Sequence, residues 1–236
     1  MFSESAALYD AIYGAFKDYA AESAQIAATI RAANSGAVTV LDVGCGTGEH
    51  VLHLRTQHGF IADGLDLDPQ LLDIAQRKVP AATFYLGDMA SFSLGRRFDA
   101  IVCLFSSIGY VKTLERVVSS LRSFAAHIEP GGAIVVEPWF PPGILRLGHG
   151  GETRAERDGV RVARTSHVSV VGRLSILRFD YQVDGPDGSR TFSETHELGL
   201  FTPAEMLACF AEAGLTASHD TIGPTGRGLY VACVDR

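Results

Sequence analysis

Short, nearly continuous apolar runs alternate with amphipathic segments through the first half of the chain. Such runs are typical of parallel strands buried on both faces, whereas apolar residues spaced three and four positions apart indicate helices. The pattern predicts strands over residues 38–43, 61–66, 83–86, 98–105 and 133–136. Helical patterns follow three of these runs, beginning near Glu49, Pro69 and Thr113. The alternation of strand and helix predicts an α/β fold with a mostly parallel sheet.

Aromatic residues are dense in the helical segment that precedes the first strand. Residues 3–33 keep helical spacing apart from one glycine break, which predicts two helices. Tyrosine carries a hydroxyl group on an apolar ring, so it can cover a ligand as well as fill a core. We predict that Tyr13 and Phe16 pack in the core. Tyr9 and Tyr19 are the candidates for covering a ligand.

The periodicity changes after residue 160. Alternating runs joined by glycine-containing turns predict three antiparallel strands, over residues 160–170, 174–183 and 191–201. A capped helix and two closing strands follow them. We therefore interpret the chain as one domain with four parts: N-terminal cover helices, a cofactor-binding core, an antiparallel lid, and a closing helix with two strands. These parts span residues 1–36, 37–140, 141–201 and 202–236.

The composition argues against several classes of protein. The chain has a formal charge of −7 and no basic stripe, so nothing favours binding to nucleic acid. No apolar stretch reaches the roughly 18 residues of a membrane span, and the acidic start does not resemble a signal peptide. The four cysteines form no C-x-x-C pair, which favours neither a zinc site nor disulfides. We expect a cytoplasmic protein without a metal site or a membrane segment.

A glycine-rich turn follows the first predicted strand. Gly44, Gly46 and Gly48 have the spacing G-x-G-x-G, one residue shorter than the dinucleotide fingerprint G-x-G-x-x-G. Glycines let the backbone approach a ligand closely at a helix N-terminus. Asp42 precedes the turn and would repel a pyrophosphate, but it would suit an ammonium group such as the α-amine of a methionyl moiety. The alternative is a tight turn without a ligand.

Further candidates for ligand binding lie at the ends of the next strands. Asp66 lies about twenty residues after the glycines, where parallel sheets place a carboxylate for ribose hydroxyls. Asp68 competes for that role, but the proline after it indicates a helix N-cap. Asp88 and Met89 offer an acceptor for an adenine amino group and a polarisable contact with its ring. Leu104 ends the fourth strand, at the edge where open α/β sheets bind ligands.

Two aromatic residues are candidates for contact with a substrate. Tyr110 lies at the tip of a loop of small residues after the fourth strand, so its hydroxyl could face a reacting group. The alternative is an ordinary connection between a strand and a helix. Trp139 follows the fifth strand and is either a pocket wall or the anchor of a lid hinge.

Polar residues in the second half of the chain suit a phosphate group. Arg164, Ser166 and His167 combine a cation, a hydroxyl and an imidazole, although residues on a strand often simply face water. Arg227 lies between two glycines in a late loop, and packing explains such an arginine poorly. A guanidinium group can bind a diphosphate through two parallel hydrogen bonds.

Six segments of the chain resemble one family of enzymes. They read LDVGCGTG, GDM, FSSIGY, EPGG with VVEPW, R-x-S-H and G-P-x-G-R-G-L-Y. The first resembles the first motif of class I S-adenosylmethionine methyltransferases. Together the segments resemble the N,N-dimethyltransferases that act on thymidine-diphosphate-linked (dTDP-linked) amino sugars and make desosamine and mycaminose for antibiotic glycosides. The resemblance implies a class I, Rossmann-like fold with a seven-stranded, mostly parallel sheet, and a homodimer.

The resemblance also implies roles for individual residues. Those facing S-adenosylmethionine would be Tyr9, Tyr19, Asp66, Asp88, Met89 and Leu104, beside Asp42, Gly44 and Gly46 of the glycine turn. Those facing the sugar and the diphosphate would be Tyr110, Trp139, Ser166, His167 and Arg227, with Arg164 as the further substrate-binding candidate named above. Phe2 loosely matches a tyrosine that the relatives carry ahead of the first helix.

The expected reaction is methyl transfer to the amine of the sugar. A neutral amine is a good nucleophile, so we expect Tyr110 to orient the substrate first and to accept a proton second. Two alternatives stay open. The protein could methylate oxygen or nitrogen of a different small molecule, or it could be a cofactor-binding dimer that has lost catalysis.

Overall fold

The computed structural model describes residues 4–186 and 188–234. Within these residues the main sheet has seven strands: β1 (Thr39–Val43), β2 (Ile61–Asp66), β3 (Phe84–Leu86), β4 (Phe98–Cys103), β5 (Ile128–Val136), β10 (Ala217–Asp220) and β11 (Leu229–Cys233). Their order is β10-β11-β5-β4-β1-β2-β3. Strand β11 is antiparallel to both of its neighbours, and the other pairs are parallel. The predicted α/β fold is confirmed.

In the described residues, six α-helices accompany the sheet: α1 (Tyr9–Gly14), α2 (Tyr19–Ala33), α3 (Glu49–Thr56), α4 (Pro69–Lys78), α5 (Leu114–His127) and α6 (Pro203–Glu212). Several begin at the residues that the sequence predicts. Asp68 caps α4 by accepting a hydrogen bond from the N–H of Gln70. Thr202 and Glu205 form a reciprocal capping box at the start of α6.

The sheet is covered on both faces. Helices α2, α3 and α4 pack on one face, where Ile30 and Leu54 lie in one buried cluster with Val102 of β4. Helices α5 and α6 pack on the other face, where Phe124 and Phe210 lie with Ile101. Neighbouring residues of β4 therefore point into different cores, which explains why this strand is apolar throughout.

Loops from several strands meet at one edge of the sheet. The C-terminal ends of β1, β2, β4 and β5 lie there because these strands are parallel. Strand β11 runs the other way, with Tyr230 beside Val136 of β5, so the loop before β11 reaches the same edge. This arrangement brings the glycine turn, Asp66, Leu104, Trp139 and Arg227 to one side of the molecule.

The lid is a separate antiparallel sheet of four strands in the described residues: β6 (Gly148–Arg157), β7 (Val160–Val171), β8 (Leu174–Gly185) and β9 (Gly188–Gly199). Three of them match the prediction. Strand β6 was missed because it is glycine-rich and charged, and its half-buried face carries Gly151, Thr153 and Ala155, so it has no clear apolar alternation.

The N-terminal segment fills the space between the lid and the core. Leu8 and Ile12 pack against Val162 and Phe179 of the lid. Tyr13 is buried as predicted, but the prediction for Phe16 was wrong, because its side chain is 55% exposed. Phe16 lies beyond the end of α1, in the connection to α2, so it does not share the buried helix face.

Phe2, a predicted substrate contact, lies outside the described residues. None of the described helices combines the length and the apolar character that crossing a bilayer requires.

Candidate functional site

The glycine turn is held against strand β2. The backbone N–H groups of Gly44 and Cys45 both donate to the carbonyl oxygen of Leu65, at 2.7 and 3.1 Å. Gly44 has a φ of +77°, and a Cβ atom added to it would lie 2.6 Å from the Cβ atom of Ser107. Any larger residue would strain the backbone and displace the loop after β4. Glycine at this position therefore lets the two loops touch.

Asp66 ends β2 and faces the glycine turn. Its Oδ2 atom accepts from the N–H of Gly46 at 2.8 Å, and its Oδ1 atom accepts from the N–H of Asp68 at 3.0 Å. Burial raises the pKa of this carboxyl group. Each oxygen keeps lone pairs for a further donor, such as a ribose hydroxyl group. The backbone thus fixes the orientation of the carboxylate before any ligand arrives.

Asp42 carries a buried carboxyl group on β1. Its side chain belongs to a residue only 1% exposed, and neither oxygen has a hydrogen-bond partner among the described residues. Burial raises its pKa to about 6. A buried, unpartnered carboxyl group destabilises the protein unless a cation or a donor approaches it. The site therefore fits S-adenosylmethionine, whose methionyl part carries an ammonium group.

Tyrosines from α1 and α2 cover the turn. A Cβ atom added to Gly46 would lie 3.8 Å from the hydroxyl oxygen of Tyr9. The ring centroids of Tyr9 and Tyr13 are 4.4 Å apart. The Tyr19 ring lies edge-on to His50, in the first turn of α3, with 5.1 Å between their centroids. Both tyrosines predicted to cover a ligand therefore lie at the glycine turn.

A chain of ionisable groups that the sequence did not reveal lies beside these tyrosines. The Nζ atom of Lys17 is 2.7 Å from Oε2 of Glu22, and the same oxygen is 3.1 Å from Nε2 of His50. The Lys17 ammonium group also lies 3.4 Å from the ring centroid of Phe105. Burial lowers the pKa of Lys17. Lys17 brings a cation near Asp42, a pairing that suits the two charges of an amino-acid group.

The remaining cofactor candidates differ in position: Met89 lies close to the glycine turn, Leu104 is buried, and Asp88 lies on the surface. The methyl carbon of Met89 lies 3.7 Å from the position of a Cβ atom on Gly44. Leu104 is buried. Asp88 accepts at Oδ2 from Arg116, at 2.7 Å, on the surface. An adenine contact for Asp88 stays a prediction.

The guanidinium groups of Arg164, which is buried, and of Arg227, which is mostly buried, flank a pair of aromatic rings. The Arg164 guanidinium carbon is 5.1 Å from the ring centroid of Tyr13, and that of Arg227 is 5.0 Å from the centroid of Phe105. The two rings meet edge-on, 5.4 Å apart. Nε and Nη1 of Arg164 and Nε of Arg227 are buried and have no hydrogen-bond partner among the described residues. Since unpaired buried donors are costly, this pair fits an anionic ligand.

Ser166 and His167 lie on opposite faces of β7, because successive residues of a strand alternate. Ser166 shares the face of Arg164, and its hydroxyl group donates to the carbonyl oxygen of Gly151 at 3.2 Å. The His167 side chain is 49% exposed and lies 3.8 Å from Asp180 on the other face. The structure therefore brings Ser166, but not His167, to the side of Arg164.

Trp139 joins the end of β5 to the lid. Its indole N–H donates to the hydroxyl oxygen of Ser175 on β8 at 2.8 Å. Its ring also lies 5.4 Å from the Arg227 guanidinium carbon. A Cβ atom on Gly109 would lie 3.2 Å from the Cβ atom of Trp139, so the loop that carries Tyr110 packs closely against it. Both interpretations of Trp139, pocket wall and hinge anchor, are compatible with this position.

Tyr110 is hydrogen-bonded to His196 of the lid. Its hydroxyl oxygen lies 3.0 Å from Nδ1 of His196, and Nε2 of His196 lies 3.7 Å from Oε2 of Glu194. Burial raises the pKa of Tyr110 well above its usual value, so this hydroxyl group stays protonated at neutral pH. The sequence did not identify these partners because 86 residues separate Tyr110 from His196.

Comparison with known proteins identifies the family. A family model described as a methyltransferase domain matches residues 40–132. A dTDP-3-amino-3,4,6-trideoxy-alpha-D-glucopyranose N,N-dimethyltransferase from Streptomyces venezuelae is 43% identical over 230 residues, which cover 97% of each chain. The crystal structure of Streptomyces venezuelae DesVI has a TM-score of 0.92 and 42% identity over 99% of both chains. The structure of CalS10 with bound S-adenosylmethionine, an amino pentose methyltransferase from Micromonospora echinaspora, has a TM-score of 0.85 and 36% identity over 96% of both chains.

These similarities run through the lid and the C-terminal segment as well as the cofactor core. A buried acid at the glycine turn, an oriented acid after β2 and an aromatic cover fit the cofactor of such enzymes. The chain belongs to the sugar N,N-dimethyltransferase family and is an S-adenosylmethionine-dependent N-methyltransferase.

Proposed function

We propose that the enzyme methylates the amino group of a dTDP-linked amino deoxysugar twice, giving the N,N-dimethyl sugar of an antibiotic glycoside. The relative from Streptomyces venezuelae is named for such a substrate, and the identity to it extends over nearly the whole of both chains. The observation that carries the proposal is the pair of buried guanidinium groups. A diphosphate would satisfy the N–H groups of Arg164 and Arg227 that have no partner in the described part of the chain.

The residues divide into a cofactor side and a substrate side. Bound S-adenosylmethionine would supply a methyl group whose positively charged sulfur a neutral amine can displace. Asp42 and Asp66 would hold the methionyl ammonium group and the ribose. On the substrate side, Arg164 and Arg227 anchor the diphosphate, and Tyr110 orients the amine. Fixing two reactants in this way contributes up to about 7–11 kcal/mol to the barrier reduction, so no strong base is required.

The direct experiment is an activity assay with a panel of nucleotide-linked sugars. The enzyme and S-adenosylmethionine are incubated with dTDP sugars that carry the amine at different ring positions, and mass spectrometry counts the added methyl groups. We expect one or two additions on at least one amino sugar. The corresponding hydroxy sugars are the matched controls. Methylation of the hydroxy sugars, or of unrelated amines only, would favour a different small-molecule methyltransferase.

A binding experiment tests the role of the cations without turnover. Calorimetry compares dTDP with thymidine, which lacks the diphosphate. We expect dTDP to bind more tightly by about 10-fold or more, because charge-assisted hydrogen bonds contribute about 1.5–3 kcal/mol each. Arg164→Ala and Arg227→Ala should reduce this preference, whereas Arg178→Ala, an exposed arginine paired with Asp180, should keep it. Equal affinities in all variants would remove the diphosphate site.

The same experiments address the catalytically inactive alternative. A protein that binds S-adenosylmethionine and dTDP but methylates no substrate of the panel would match a cofactor-binding protein without catalysis. The position of Tyr9, Asp66 and Met89 at the glycine turn favours an active enzyme.

A homodimer in the cytoplasm is part of the proposal. Exposed apolar side chains lie near one end of the lid: Leu147 and Val171 are 60% and 67% exposed. Exposed apolar patches of this kind favour association. All four cysteines are unpaired, as is usual in a reducing compartment. Analytical ultracentrifugation tests the dimer, and Val171→Asp should shift the equilibrium toward monomer if the contact includes this patch.

A further inference from the structure

Tyr110 and two side chains of β9, His196 and Glu194, form a line that leads away from the substrate side. Tyr110 lies in a 3-10 segment, Ser107–Val111, after β4, and His196 and Glu194 lie on the same face of β9. His196 and Glu194 are 1% and 8% exposed. The Glu194 carboxylate also accepts from the hydroxyl group of Ser5 at 2.6 Å and from its N–H at 3.1 Å. These bonds fix the carboxylate beside the imidazole.

This arrangement selects one tautomer of His196. The Glu194 carboxylate lies 3.7 Å from Nε2, so it favours a proton on that nitrogen. Nδ1 is then the acceptor for the Tyr110 hydroxyl group, at 3.0 Å. With its proton committed to His196, the Tyr110 oxygen presents only lone pairs to a second group. An amine N–H is a suitable donor to them.

The amine of the proposed substrate is protonated at neutral pH and must lose a proton before it can react. An amine beside electron-withdrawing oxygen atoms resembles an α-amino group, whose pKa is about 8, so at pH 7 it is mostly an ammonium ion. An ammonium ion has no lone pair and cannot accept a methyl group. A group near the amine that takes this proton would extend activity to lower pH.

We propose that Tyr110, His196 and Glu194 form a proton relay for the ammonium group of the substrate, an inference that rests on the proposed amine substrate. The N–H bond of the ammonium breaks, and its electron pair stays on nitrogen as the nucleophile. Its proton goes to the Tyr110 oxygen while the hydroxyl proton of Tyr110 goes to Nδ1 of His196. The resulting imidazolium faces the Glu194 carboxylate. Tyr110 touches the substrate, and His196 and Glu194 are positioning residues that act through it.

The surroundings of His196 suit this role. Glu194 on its own strand and Tyr110 from the 3-10 segment are within hydrogen-bond or ion-pair distance. Arg164 of β7 adds a positive charge, and the Phe179 ring of β8 lies 5.2 Å away between centroids. Burial lowers the pKa of His196 to about 4 against the opposite effect of Glu194, so the imidazole is neutral before the substrate binds, and transfer of a proton to it depends on stabilisation of the imidazolium by the Glu194 carboxylate. Tyr110 cannot be an anionic base, because burial raises its pKa.

The first test is the pH dependence of kcat with saturating amino sugar. Without the relay, only substrate that binds as the neutral amine reacts, so we expect Tyr110→Phe and His196→Asn to lower kcat about 10-fold at pH 7. The loss should shrink to within about threefold at pH 9.5, where the amine is already neutral. His58→Asn, at a histidine remote from this line, is the matched control and should follow the parent. An equal loss at every pH would indicate a merely structural role, and parent-like kcat at pH 7 would also overturn the relay.

The second test needs no turnover. Nitrogen-15 NMR of labelled histidines should show the His196 proton on Nε2, and Tyr110→Phe should shift the Nδ1 resonance alone. A proton on Nδ1 would overturn the relay whichever substrate the enzyme uses. Failure of the parent to methylate any amino sugar would instead contradict the proposed function. Unchanged S-adenosylmethionine affinity and an unchanged melting temperature establish that both variants are folded.

Discussion

The carboxylate of Glu137 holds the guanidinium group of Arg227. Oε1 of Glu137 lies 3.6 Å from Nη1 of Arg227, and the two side chains are only 3% and 16% exposed. The same carboxylate accepts from the N–H of Phe105 at 2.6 Å and from the hydroxyl group of Thr225. Phe105 has a φ of +49°, a strained conformation for a residue other than glycine. Glu137 therefore fixes both Arg227 and the loop that leads to Tyr110.

Replacing Glu137 should weaken binding of the nucleotide sugar. Glu137→Gln keeps the shape and an acceptor for Phe105 but removes the charge that positions Arg227. We expect KM for the sugar to rise about fivefold to tenfold, with a smaller change in kcat, because the diphosphate contact is similar in the ground and transition states. Glu137→Ala should also cost about 3–5 kcal/mol of stability, since it leaves a buried cation uncompensated.

A surface ion pair provides the control for Glu137. Glu197 lies 2.6 Å from Lys112, and both side chains are more than 40% exposed. Glu197→Gln should change stability by about 1 kcal/mol or less and leave the steady-state kinetics unchanged. Parent-like KM in Glu137→Gln, measured beside this control, would show that Arg227 is positioned by its aromatic neighbours alone.

Asp66 and Asp68 should separate cofactor binding from stability. Asp66→Ala removes an oriented acceptor for the ribose, so we expect the affinity for S-adenosylmethionine to fall about tenfold or more. Asp68→Ala removes the N-cap of α4 and should cost about 1 kcal/mol of stability while affinity stays near that of the parent. Calorimetric titration and urea unfolding on both variants measure the two effects. Weaker cofactor binding in Asp68→Ala, with parent-like affinity in Asp66→Ala, would assign the ribose contact to Asp68 instead of Asp66.

The buried carboxyl group of Asp42 predicts a trade between stability and binding. Its pKa rises from 3.8 to about 6 on burial, so the folded state retains a proton that the unfolded state loses. Stability from this group is therefore greatest below pH 4 and falls as the pH rises to about 6, by roughly 3 kcal/mol. Asp42→Asn should remove this dependence and stabilise the cofactor-free protein at pH 7, yet weaken binding of S-adenosylmethionine. Urea unfolding at pH 5 and pH 7, with calorimetry of cofactor binding, provides the check. A variant less stable than the parent at pH 7 would mean that Asp42 has a partner when no cofactor is bound.

Local patterns predicted the cofactor half of the molecule. Gly44 and the cap at Asp68 depend on neighbours within a few residues, where backbone geometry dictates the residue type. The substrate half depends on contacts between distant segments. His196 reaches Tyr110 only because the lid folds over the sheet edge, and no spacing along the chain encodes that contact.

The alternation of side chains along a strand and the burial of helix faces explain the other differences between the predicted and the observed structure. A motif written R-x-S-H places Ser166 and His167 side by side in sequence, but a strand directs them to opposite faces. Phe16 was predicted to be buried from its type, whereas the end of α1 removes it from the buried face. Strand β6 pairs through its backbone, which the alternation of side chains does not report.

The same helix covers both proposed ligand sites, which predicts release of a monomethyl intermediate. Tyr9 of α1 lies over Gly46 on the cofactor side, and Tyr13 of α1 contacts Arg164 on the substrate side. Spent cofactor must leave before a second methyl group can arrive, and we expect α1, which lies over Gly46, to move during its exit. That movement should also disturb the packing around Arg164 and so loosen the diphosphate.

We therefore expect monomethyl sugar to appear in solution early in the time course. The monomethyl sugar should also be a substrate when it is supplied separately, with comparable turnover in both steps. Rapid quenching with substrate in excess over enzyme, followed by mass spectrometry, measures this. Dimethyl product at the first turnover, with no free monomethyl species at any time, would mean that cofactor exchanges beneath a bound sugar and that α1 does not couple the two sites.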